Sequence, residues 1–254
     1  MPEALVRRPS PRLAEGLVTH IERQPVDHAL AEQQWLGYVS ALAASGWKPI
    51  DVPPADDCPD SVFVEDTVVM FGSLAVITRP GAPSRRPEIE AMPDVLAGLE
   101  IETAYIDAPG TLDGGDVLKV GTDVYVGQGG RTNADGIRQL RQLVRPRGLT
   151  VVAVPVTKVL HLKSAVTALP DGTVVGFDPL VDDTRLFPRY RSMPEESGAH
   201  VVVLDEDRVL MAADCPRSAA LVASLGYDVV PVGIGEFQKL EGCVTCLSVR
   251  LRDR

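Results

Sequence analysis

Short apolar runs and polar turns alternate along this chain in a unit that recurs several times. Two clear copies begin with TVVMFGSLAVITRP at residues 67–80 and VLKVGTDVYVGQG at residues 117–129, and each is typical of a β-hairpin. Helical patterns follow both hairpins, and the one at residues 131–144, RTNADGIRQLRQLV, is amphipathic. A further apolar strand such as VVAVPV ends the unit. The pattern therefore predicts repeated ββαβ units.

Two later copies and a final fragment complete the series. AVTALPDGTVVGFDP at residues 165–179 is another hairpin, but its connection at residues 181–198 has two prolines and no clean apolar stripe. Any helix there is expected to be short. VVVLDEDRVLMAA at residues 201–213 precedes a helical segment and the strand YDVVPV. The last strand, in CLSVRL at residues 246–251, ends the apolar pattern.

The residues that open these units are Asp66, Asp113, His161, His200 and Cys246. Their separations of 47, 48, 39 and 46 residues correspond to a regular repeat. Units of this length cannot bury their own apolar face, which favours radial or stacked assembly. In a radial assembly equivalent positions converge on the centre. Two aspartates, two histidines and a cysteine are then expected to share one site.

Composition and charge narrow the class of protein. The 254 residues carry a net charge of −10, which argues against a nucleic-acid partner. No apolar run is long enough to span a membrane, and the first residues lack the apolar segment of a secretory signal. Four scattered cysteines do not form a disulfide framework, so a cytoplasmic setting is expected. We expect residues 1–254 to form a single catalytic domain, as a monomer or a homodimer.

Cys246 is a candidate nucleophile, although a lone cysteine is also a common buried structural residue. With Cys243 it forms C-x-x-C, a spacing typical of redox and zinc sites. A thioredoxin-type pair opens a helix, whereas β-type residues follow here, and a zinc site lacks its second pair of ligands. In an extended segment, residues three apart also point to opposite faces. We therefore expect Cys243 to be either a bystander or a second thiol exposed to oxidation, outside the catalytic mechanism.

Carboxylates interrupt two of the apolar runs. Glu65 and Asp66 lie in VFVEDTVVM, where burial is costly unless an internal arginine or a ligand cation pairs with them. Asp113 and Asp116 repeat the pattern in TLDGGDVL, which could also be a tight turn with solvated aspartates. His161, in VLHLKSAV, fits either a core histidine or a catalyst. The repetition of acidic residues in two units favours a pocket for a cation.

Six segments carry a resemblance to a known family. They are PDSVFVED at 59–66, RPGAPSRR at 79–86, APGTLDGGDVL at 108–118, RTNADG at 131–136, VLHLKS at 159–164 and FQKLEGCVTCLSVR at 237–250. In this order, across nearly the whole chain, they resemble the dimethylarginine dimethylaminohydrolases of the guanidino-modifying (pentein) superfamily. The resemblance implies an α/β fold, a five-bladed propeller of ββαβ units with pseudo-five-fold symmetry. It also implies a small-molecule substrate, N-ω-methylated free arginine, which is hydrolysed to citrulline and a methylated amine.

The resemblance further implies a catalytic role for each matching residue. Cys246 is expected to attack the guanidinium carbon and form a covalent S-alkylthiouronium, with His161 as general acid and base. Asp113 is expected to orient His161 and to touch the guanidinium, although some relatives carry glutamate there. Asp66 is expected to bind the guanidinium nitrogens, with Glu65 beside it. No cofactor and no metal are implied.

The same resemblance implies how the rest of the substrate is held. Arg85 and Arg131 are expected to bind the α-carboxylate, which selects free amino acids over peptides. Asp60 and the backbone carbonyl of Leu17 are expected to take the α-ammonium. The backbone of Leu240 is expected to line the entrance.

Other members of the superfamily remain as alternatives. Arginine deiminases share the fold and the catalytic residue types but are longer, and the substrate of agmatine deiminases lacks the carboxylate that Arg85 and Arg131 would hold. Ribosome-binding penteins use the fold as a scaffold, and an inactive relative could bind arginine derivatives without turnover. His200 stands where relatives carry asparagine, so we expect it to support the site rather than to catalyse.

Overall fold

The computed structural model describes residues 1–252, which form five three-stranded sheets and five α-helices. No helix in this range is long and apolar enough to cross a membrane. In chain order the elements are β1 (Glu3–Val6), α1 (His28–Ala44), β2 (Lys48–Asp51), β3 (Val68–Phe71), β4 (Leu74–Ile77), α2 (Met92–Gly98), β5 (Glu102–Tyr105), β6 (Val117–Val120), β7 (Asp123–Gln128), α3 (Ala134–Val144), β8 (Thr150–Pro155), β9 (Val166–Ala168), β10 (Val174–Gly176), β11 (Tyr190–Ser192), β12 (Val202–Val203), β13 (Arg208–Ala212), α4 (Pro216–Ser224), β14 (Asp228–Val232), α5 (Gly235–Gln238) and β15 (Val249–Leu251).

Every sheet repeats one strand arrangement. Its first two strands are antiparallel and its third strand pairs parallel with the second, as in β3-β4-β5 and β6-β7-β8. The other sheets are β9-β10-β11, β12-β13-β14 and β15-β1-β2. In four of the five sheets described here, an α-helix connects the second strand to the third. The predicted ββαβ repeat is confirmed.

Each sheet is apolar on both faces because it packs between two neighbours. In β3, Val68 and Met70 join a cluster with β1 and β15, whereas Val69 and Phe71 join a cluster with β6 and β7. Successive side chains of a strand point to opposite faces, so one strand serves both clusters. Of two further clusters, one links the sheet β6-β7-β8 to β9-β10-β11, and the other links β9-β10-β11 through β12-β13-β14 to β15-β1-β2. The five sheets therefore close into the predicted propeller.

Within residues 1–252, β9-β10-β11 is the sheet that has no α-helix between its second and third strands. Two 3-10 turns, Asp178–Leu180 and Thr184–Leu186, stand in its place. Pro179 and Pro188 lie in this connection, and proline inside a helix removes a backbone donor and clashes with the preceding turn. The prediction of at most a short helix here is confirmed.

The two ends of the described chain meet in one sheet. β1 pairs antiparallel with β15, placing Glu3 opposite Leu251, and pairs parallel with β2. The last apolar run is thus the first strand of a unit whose remaining elements come from the N-terminal segment. The apolar pattern did not predict this closure, because β1 is four residues long and no hairpin turn adjoins it.

Short 3-10 turns precede the first strands of three sheets, at Val64–Thr67, Gly114–Asp116 and Leu162–Ser164. Asp66 lies inside the first turn, whereas Asp113 and His161 immediately precede the other two. The positions predicted to be equivalent therefore differ by a few residues from one unit to the next. Each turn contacts the next along the series, so the side chains that they carry converge.

Candidate active site

A pocket opens where these turns converge. Eight of the residues assigned to the site from the sequence line it: Leu17, Asp60, Asp66, Arg85, Arg131, His161, Leu240 and Cys246. Two of the assigned residues, Asp113 and Glu65, are not part of this wall. The wall is completed by residues that the sequence did not single out as site residues: Phe63, Leu160, Glu241 and Gly242.

Cys246 lies in a tight turn just before β15. Its amide N–H donates to the carbonyl of Cys243 at 3.1 Å, and its own carbonyl accepts from the amide of Glu65 at 3.1 Å. The second bond ties the turn that carries Cys246 to the turn that carries Asp66. The thiol is buried but faces the pocket, with 6% of the residue exposed. This placement suits a nucleophile that meets its substrate inside the protein.

The expectation that Cys243 points away from Cys246 is wrong. The segment is a turn rather than a strand, so the two Sγ atoms lie 3.2 Å apart. The Cys243 amide also points at the Cys246 Sγ, at 3.4 Å, and Thr245 Oγ1 lies 3.2 Å from the Cys243 Sγ. The hydrogen bond between the two thiols lowers the pKa of Cys243 to about 5 and raises that of Cys246, because the sulfurs share a proton.

His161 is held between two carboxylates. Its Nε2 lies 2.9 Å from Asp113 Oδ2, and its Nδ1 lies 3.9 Å from Asp66 Oδ1. Burial opposes the imidazolium, but the charge of Asp66 and the hydrogen bond to Asp113 prevail and raise the pKa of His161 to about 9. Gly115 allows this packing, because a Cβ there would lie 2.7 Å from Nδ1. At neutral pH the ring is therefore a proton donor.

Asp113 is fully buried behind His161. Besides His161, its carboxylate accepts from the Gly81 amide at 2.7 Å through Oδ1, and Arg131 Nη1 lies 3.9 Å from Oδ2. This position suits the orientation of the imidazole. Because Asp113 does not line the pocket, its predicted contact with a bound guanidinium is not part of this arrangement.

Asp66 and Arg85 form a buried ion pair, with Nη1 2.7 Å from Oδ2. Arg85 also makes two bonds to the Glu88 carboxylate, at 2.9 and 2.8 Å. The second oxygen of Asp66 accepts from the Gly115 amide at 2.8 Å. Burial alone would raise the pKa of Asp66, but His161 and Arg85 outweigh it and hold that pKa well below its ordinary value. The internal arginine considered as a partner for this carboxylate is thus present.

Arg131 is the less completely paired of the two pocket arginines. Its Nη1 is buried and has no hydrogen-bond partner among the described residues. Its nearest carboxylate oxygen, on Asp113, lies 3.9 Å from that nitrogen, beyond hydrogen-bonding distance. The N–H groups of Arg85, in contrast, already donate to Asp66, Glu88 and backbone carbonyls. Arg131 also lines the pocket, so an anionic group there would meet a guanidinium that is less completely paired than that of Arg85.

Asp60 and the Leu17 backbone form one side of the pocket. The Leu17 amide donates to both carboxylate oxygens of Asp60, at 3.1 and 3.2 Å. Gly16 permits this approach, since a Cβ there would lie 2.8 Å from Asp60 Oδ1. Burial raises the pKa of Asp60, and a cation beside it would favour the charged form.

Glu65 does not bind in the pocket as predicted. Its carboxylate turns to the opposite side of the ring, where Oε1 pairs with Lys163 at 2.7 Å and Arg250 at 2.8 Å. Lys163 follows His161 by two residues, and Arg250 also holds the Thr245 carbonyl at 3.2 Å. Adjacent residues in a 3-10 turn point in different directions, so Glu65 cannot lie beside Asp66 in one pocket. Glu65 instead links the histidine and cysteine turns.

Two residues outside the pocket support the His161 turn. Asp116 accepts from the Leu162 amide at 2.9 Å and from the Thr132 hydroxyl at 2.6 Å, and burial raises its pKa to about 6. His200 Nε2 lies 2.9 Å from the Ser164 carbonyl. His200 is absent from the pocket wall, so the expectation from the repeat spacing that both histidines share one site is wrong for His200. Its contact with the histidine turn agrees with a supporting position.

Glu241 is a pocket residue that the sequence did not reveal. It has a left-handed backbone, with φ of 61°, and its carboxylate accepts the amides of Thr19 and His20 at 2.5 and 3.0 Å. These two bonds hold the N-terminal loop, which contributes Leu17 to the pocket, against Glu241. An isolated glutamate beside glycine gives no sequence signal for such a contact.

Asp66, Asp113 and His161 place potential ligand atoms within 4.8 Å of one another. A divalent ion could use such a set, but the Arg85 guanidinium already pairs with Asp66, and His161 already pairs with Asp113. The arrangement therefore suits a cation held by hydrogen bonds better than a metal ion. The expectation that no metal is needed stays a prediction.

The chain is similar to proteins of one family over its whole length. A family profile described as arginine deiminase matches residues 54–241. The N(G),N(G)-dimethylarginine dimethylaminohydrolase of Streptomyces coelicolor is 64% identical over 251 residues, which cover 99% of this chain and 97% of that protein. The chain belongs to the dimethylarginine dimethylaminohydrolase family.

Solved structures of dimethylarginine dimethylaminohydrolases share the fold. The enzyme of Pseudomonas aeruginosa, as a cysteine-to-serine variant complexed with citrulline, is 35% identical, with a TM-score of 0.91 and 98% of both chains covered. A histidine-to-glycine dimethylarginine dimethylaminohydrolase, as an adduct with S-methyl-L-thiocitrulline, is 34% identical with the same TM-score of 0.91 and 98% coverage of both chains.

Glu65→Gln is expected to destabilise the fold by about 3 kcal/mol, because removing one partner leaves two largely buried cations uncompensated. Urea unfolding measures this loss. The KM for a methylated arginine is expected to change by less than about twofold, since Glu65 lies outside the pocket. The matched control is Glu15→Gln, at an exposed ion pair. A large rise in KM with unchanged stability would return Glu65 to the substrate contacts.

The pH dependence of stability is expected to report on His161. A folded-state pKa raised from 6.5 to about 9 stabilises the fold fully below pH 6.5. That contribution is lost as pH rises through 9 and corresponds to roughly 3 kcal/mol. Urea unfolding of wild type and His161→Gln across this range should show their difference shrinking toward high pH. His20→Gln, at an exposed histidine, is the control. A pH-independent difference contradicts the raised pKa.

Proposed function

We propose that this chain hydrolyses asymmetric dimethylarginine and monomethylarginine to citrulline and dimethylamine or methylamine. The observation that carries the proposal is one pocket holding Cys246, the paired imidazole of His161, the Asp66 carboxylate and an arginine with a free donor. These groups match the reactive carbon, the leaving amine, the guanidinium and the α-carboxylate of such a substrate. Membership of the dimethylarginine dimethylaminohydrolase family supports the same reaction.

The proposed substrate lies between two charged ends of the pocket. Its guanidinium is bound by Asp66 beside Cys246. Its α-carboxylate is bound by Arg131, with Arg85 adding positive charge from its ion pair with Asp66. Asp60 and the carbonyl of Leu17 take the α-ammonium. The sequence predicted that Arg85 and Arg131 both bind the α-carboxylate. Here Arg131 makes that contact, because Arg85 has fewer free donors than Arg131.

In the proposed reaction, the Cys246 thiolate attacks the central carbon of the guanidinium to form a tetrahedral adduct. His161 gives its Nδ1 proton to the departing methylated amine while its Nε2 stays bonded to Asp113, and a covalent S-alkylthiouronium on Cys246 remains. Neutral His161 then takes a proton from water, which attacks the same carbon. Collapse of this second adduct breaks the C–S bond, and the hydroxyl proton of the adduct passes to the departing sulfur, so citrulline is released and the Cys246 thiol is restored. Asp113 keeps the imidazole oriented through both steps.

The electrostatics of the pocket support this order of events. The pKa of Cys246 is raised before substrate binds, first by its hydrogen bond with Cys243 and also by burial. A guanidinium bound by Asp66 brings a positive charge next to the sulfur, which favours the thiolate. The thiol proton is released to solvent on binding. His161, with a pKa of about 9, is already protonated for the leaving amine.

We propose further that residues 1–254 act as one catalytic domain in the cytoplasm and serve arginine metabolism, as a monomer or homodimer. No cofactor, metal, nucleic acid or membrane is part of this proposal. Apolar clusters that run from sheet to sheet support a single unit, and a net charge of −10 disfavours nucleic acid.

Purified protein is expected to release citrulline from asymmetric dimethylarginine and, more slowly, from monomethylarginine. Colorimetric detection of citrulline measures both rates. Cys246→Ser is expected to lose at least about 1,000-fold in kcat, because the hydroxyl is not ionised. Cys215→Ser, at a buried cysteine remote from the pocket, is the matched control. Faster turnover of unmethylated arginine would favour a deiminase instead, and equal activity of Cys246→Ser would remove the nucleophile assignment.

Arg131→Gln is expected to lower kcat/KM for dimethylarginine by about 100-fold, because a buried charge-assisted bond to the carboxylate is lost. The same variant should differ little from wild type on a methylated guanidine that lacks the α-carboxylate. Arg138→Gln, on the exposed face of α3, serves as the control. An equal loss on both substrates would show that Arg131 acts on the fold rather than on the carboxylate.

A further inference from the structure

The two thiols of the C-x-x-C segment are in contact inside the site. We infer that Cys243 and Cys246 form a modification site, at which a hydroperoxide oxidises the pair to a disulfide that reversibly masks the pocket thiol. The bond itself is independent of the proposed function. The accompanying loss of activity rests on the proposed role of Cys246.

The backbone is already close to the geometry that a disulfide needs. Cys246 donates its amide to the Cys243 carbonyl at 3.1 Å, which closes a four-residue turn. Such turns hold their end Cα atoms within about 7 Å, inside or near the range spanned by disulfides. The Sγ atoms are 3.2 Å apart. Closing them to a covalent bond requires a movement of about 1 Å.

The chemical state of the pair also favours oxidation. Thiolates react with peroxides, and the shared proton lowers the pKa of Cys243 to about 5. Cys246 is the sulfur that faces the pocket, and transfer of its proton to the Cys243 sulfur 3.2 Å away leaves Cys246 as the thiolate that a peroxide meets. Cys58 and Cys215 are different, because burial raises the pKa of both, that of Cys215 to about 12.

The oxidation balances with a hydroperoxide as the two-electron oxidant. The Cys246 thiolate attacks one peroxide oxygen, the O–O bond breaks to give the Cys246 sulfenic acid, and the departing hydroxide or alkoxide takes the proton of the Cys243 thiol. The Cys243 thiolate then attacks the Cys246 sulfenic sulfur, and the S–O bond breaks as hydroxide, which becomes water. With hydrogen peroxide the sum is two thiols and one peroxide to one disulfide and two waters. Rapid closure keeps Cys246 from the irreversible sulfinic stage.

The test follows one tryptic peptide and the citrulline assay in parallel. Cleavage after Lys239 and Arg250 releases residues 240–250, LEGCVTCLSVR, which contain Cys243 and Cys246 and no other cysteine. Wild type treated with hydrogen peroxide is expected to yield this peptide lighter by two hydrogen atoms. Activity should be lost in step, and dithiothreitol should restore at least about nine tenths of it.

Cys243→Ser is the decisive variant, compared with its own untreated activity. Without a resolving thiol, and with hydrogen peroxide in excess, its Cys246 is expected to pass from the sulfenic to the sulfinic acid. It should then stay largely inactive, because dithiothreitol does not reduce a sulfinic acid. Cys215→Ser is the matched control and should recover as wild type does. Circular dichroism of each variant verifies that it is folded before treatment.

Two results overturn the inference. In one, the wild-type peptide gains oxygen instead of losing hydrogen. In the other, Cys243→Ser recovers as fully as wild type. A disulfide that forms without loss of citrulline release would contradict masking and the proposed nucleophile, while the peptide mass would still identify the pair. If no disulfide forms but citrulline is still released, the inference fails and the proposed hydrolysis stands. Failure of the inference and failure of the proposed function are therefore distinguishable.

Discussion

Buried carboxylates at the inner ends of the sheets are the constraint on which the rest of this structure depends. A carboxylate removed from water must be met by a cation or by N–H and O–H donors. Asp66 is met by Arg85 and by the Gly115 amide, and Asp113 is met by His161 and the Gly81 amide. Arg85 belongs to the same repeat as Asp66, whereas Gly115 comes from the next repeat, and the two partners of Asp113 come from the repeats on either side. Satisfying the charges therefore fixes the sheets against one another as well as the site.

The same charges prepare the pocket for chemistry. His161 lies between two carboxylates, so its proton is retained at neutral pH and is available to a leaving group. Asp66 keeps its negative charge through Arg85 and His161, and so attracts a cation to the side of Cys246. Arg131 keeps one buried N–H unpaired among the described residues. The buried charges that stabilise the fold are thus the same groups that bind the ligand in the proposed function.

The local parts of this architecture could be predicted from the sequence, because hairpins, helices and ordered motifs leave signals within one unit. The same motifs predicted the pocket positions of Asp66, His161 and Cys246. Closure by β1 could not be predicted, since pairing with β15 spans the whole chain. The direction in which side chains point inside tight turns could not be predicted from the sequence either. Glu65 faces away from the pocket, and a turn brings Cys243 onto its neighbour.

The sheet built from β15, β1 and β2 has a consequence for biosynthesis. The pocket takes Leu17 from early in the chain and Cys246 from its last strand-bearing turn. During translation, four sheets can form before the Cys246 sulfur leaves the ribosome, since chains fold progressively from the N-terminus. The strand that closes the ring and the thiol that it carries into place arrive together. A nascent chain consequently holds no complete pocket until the ring of sheets is closed.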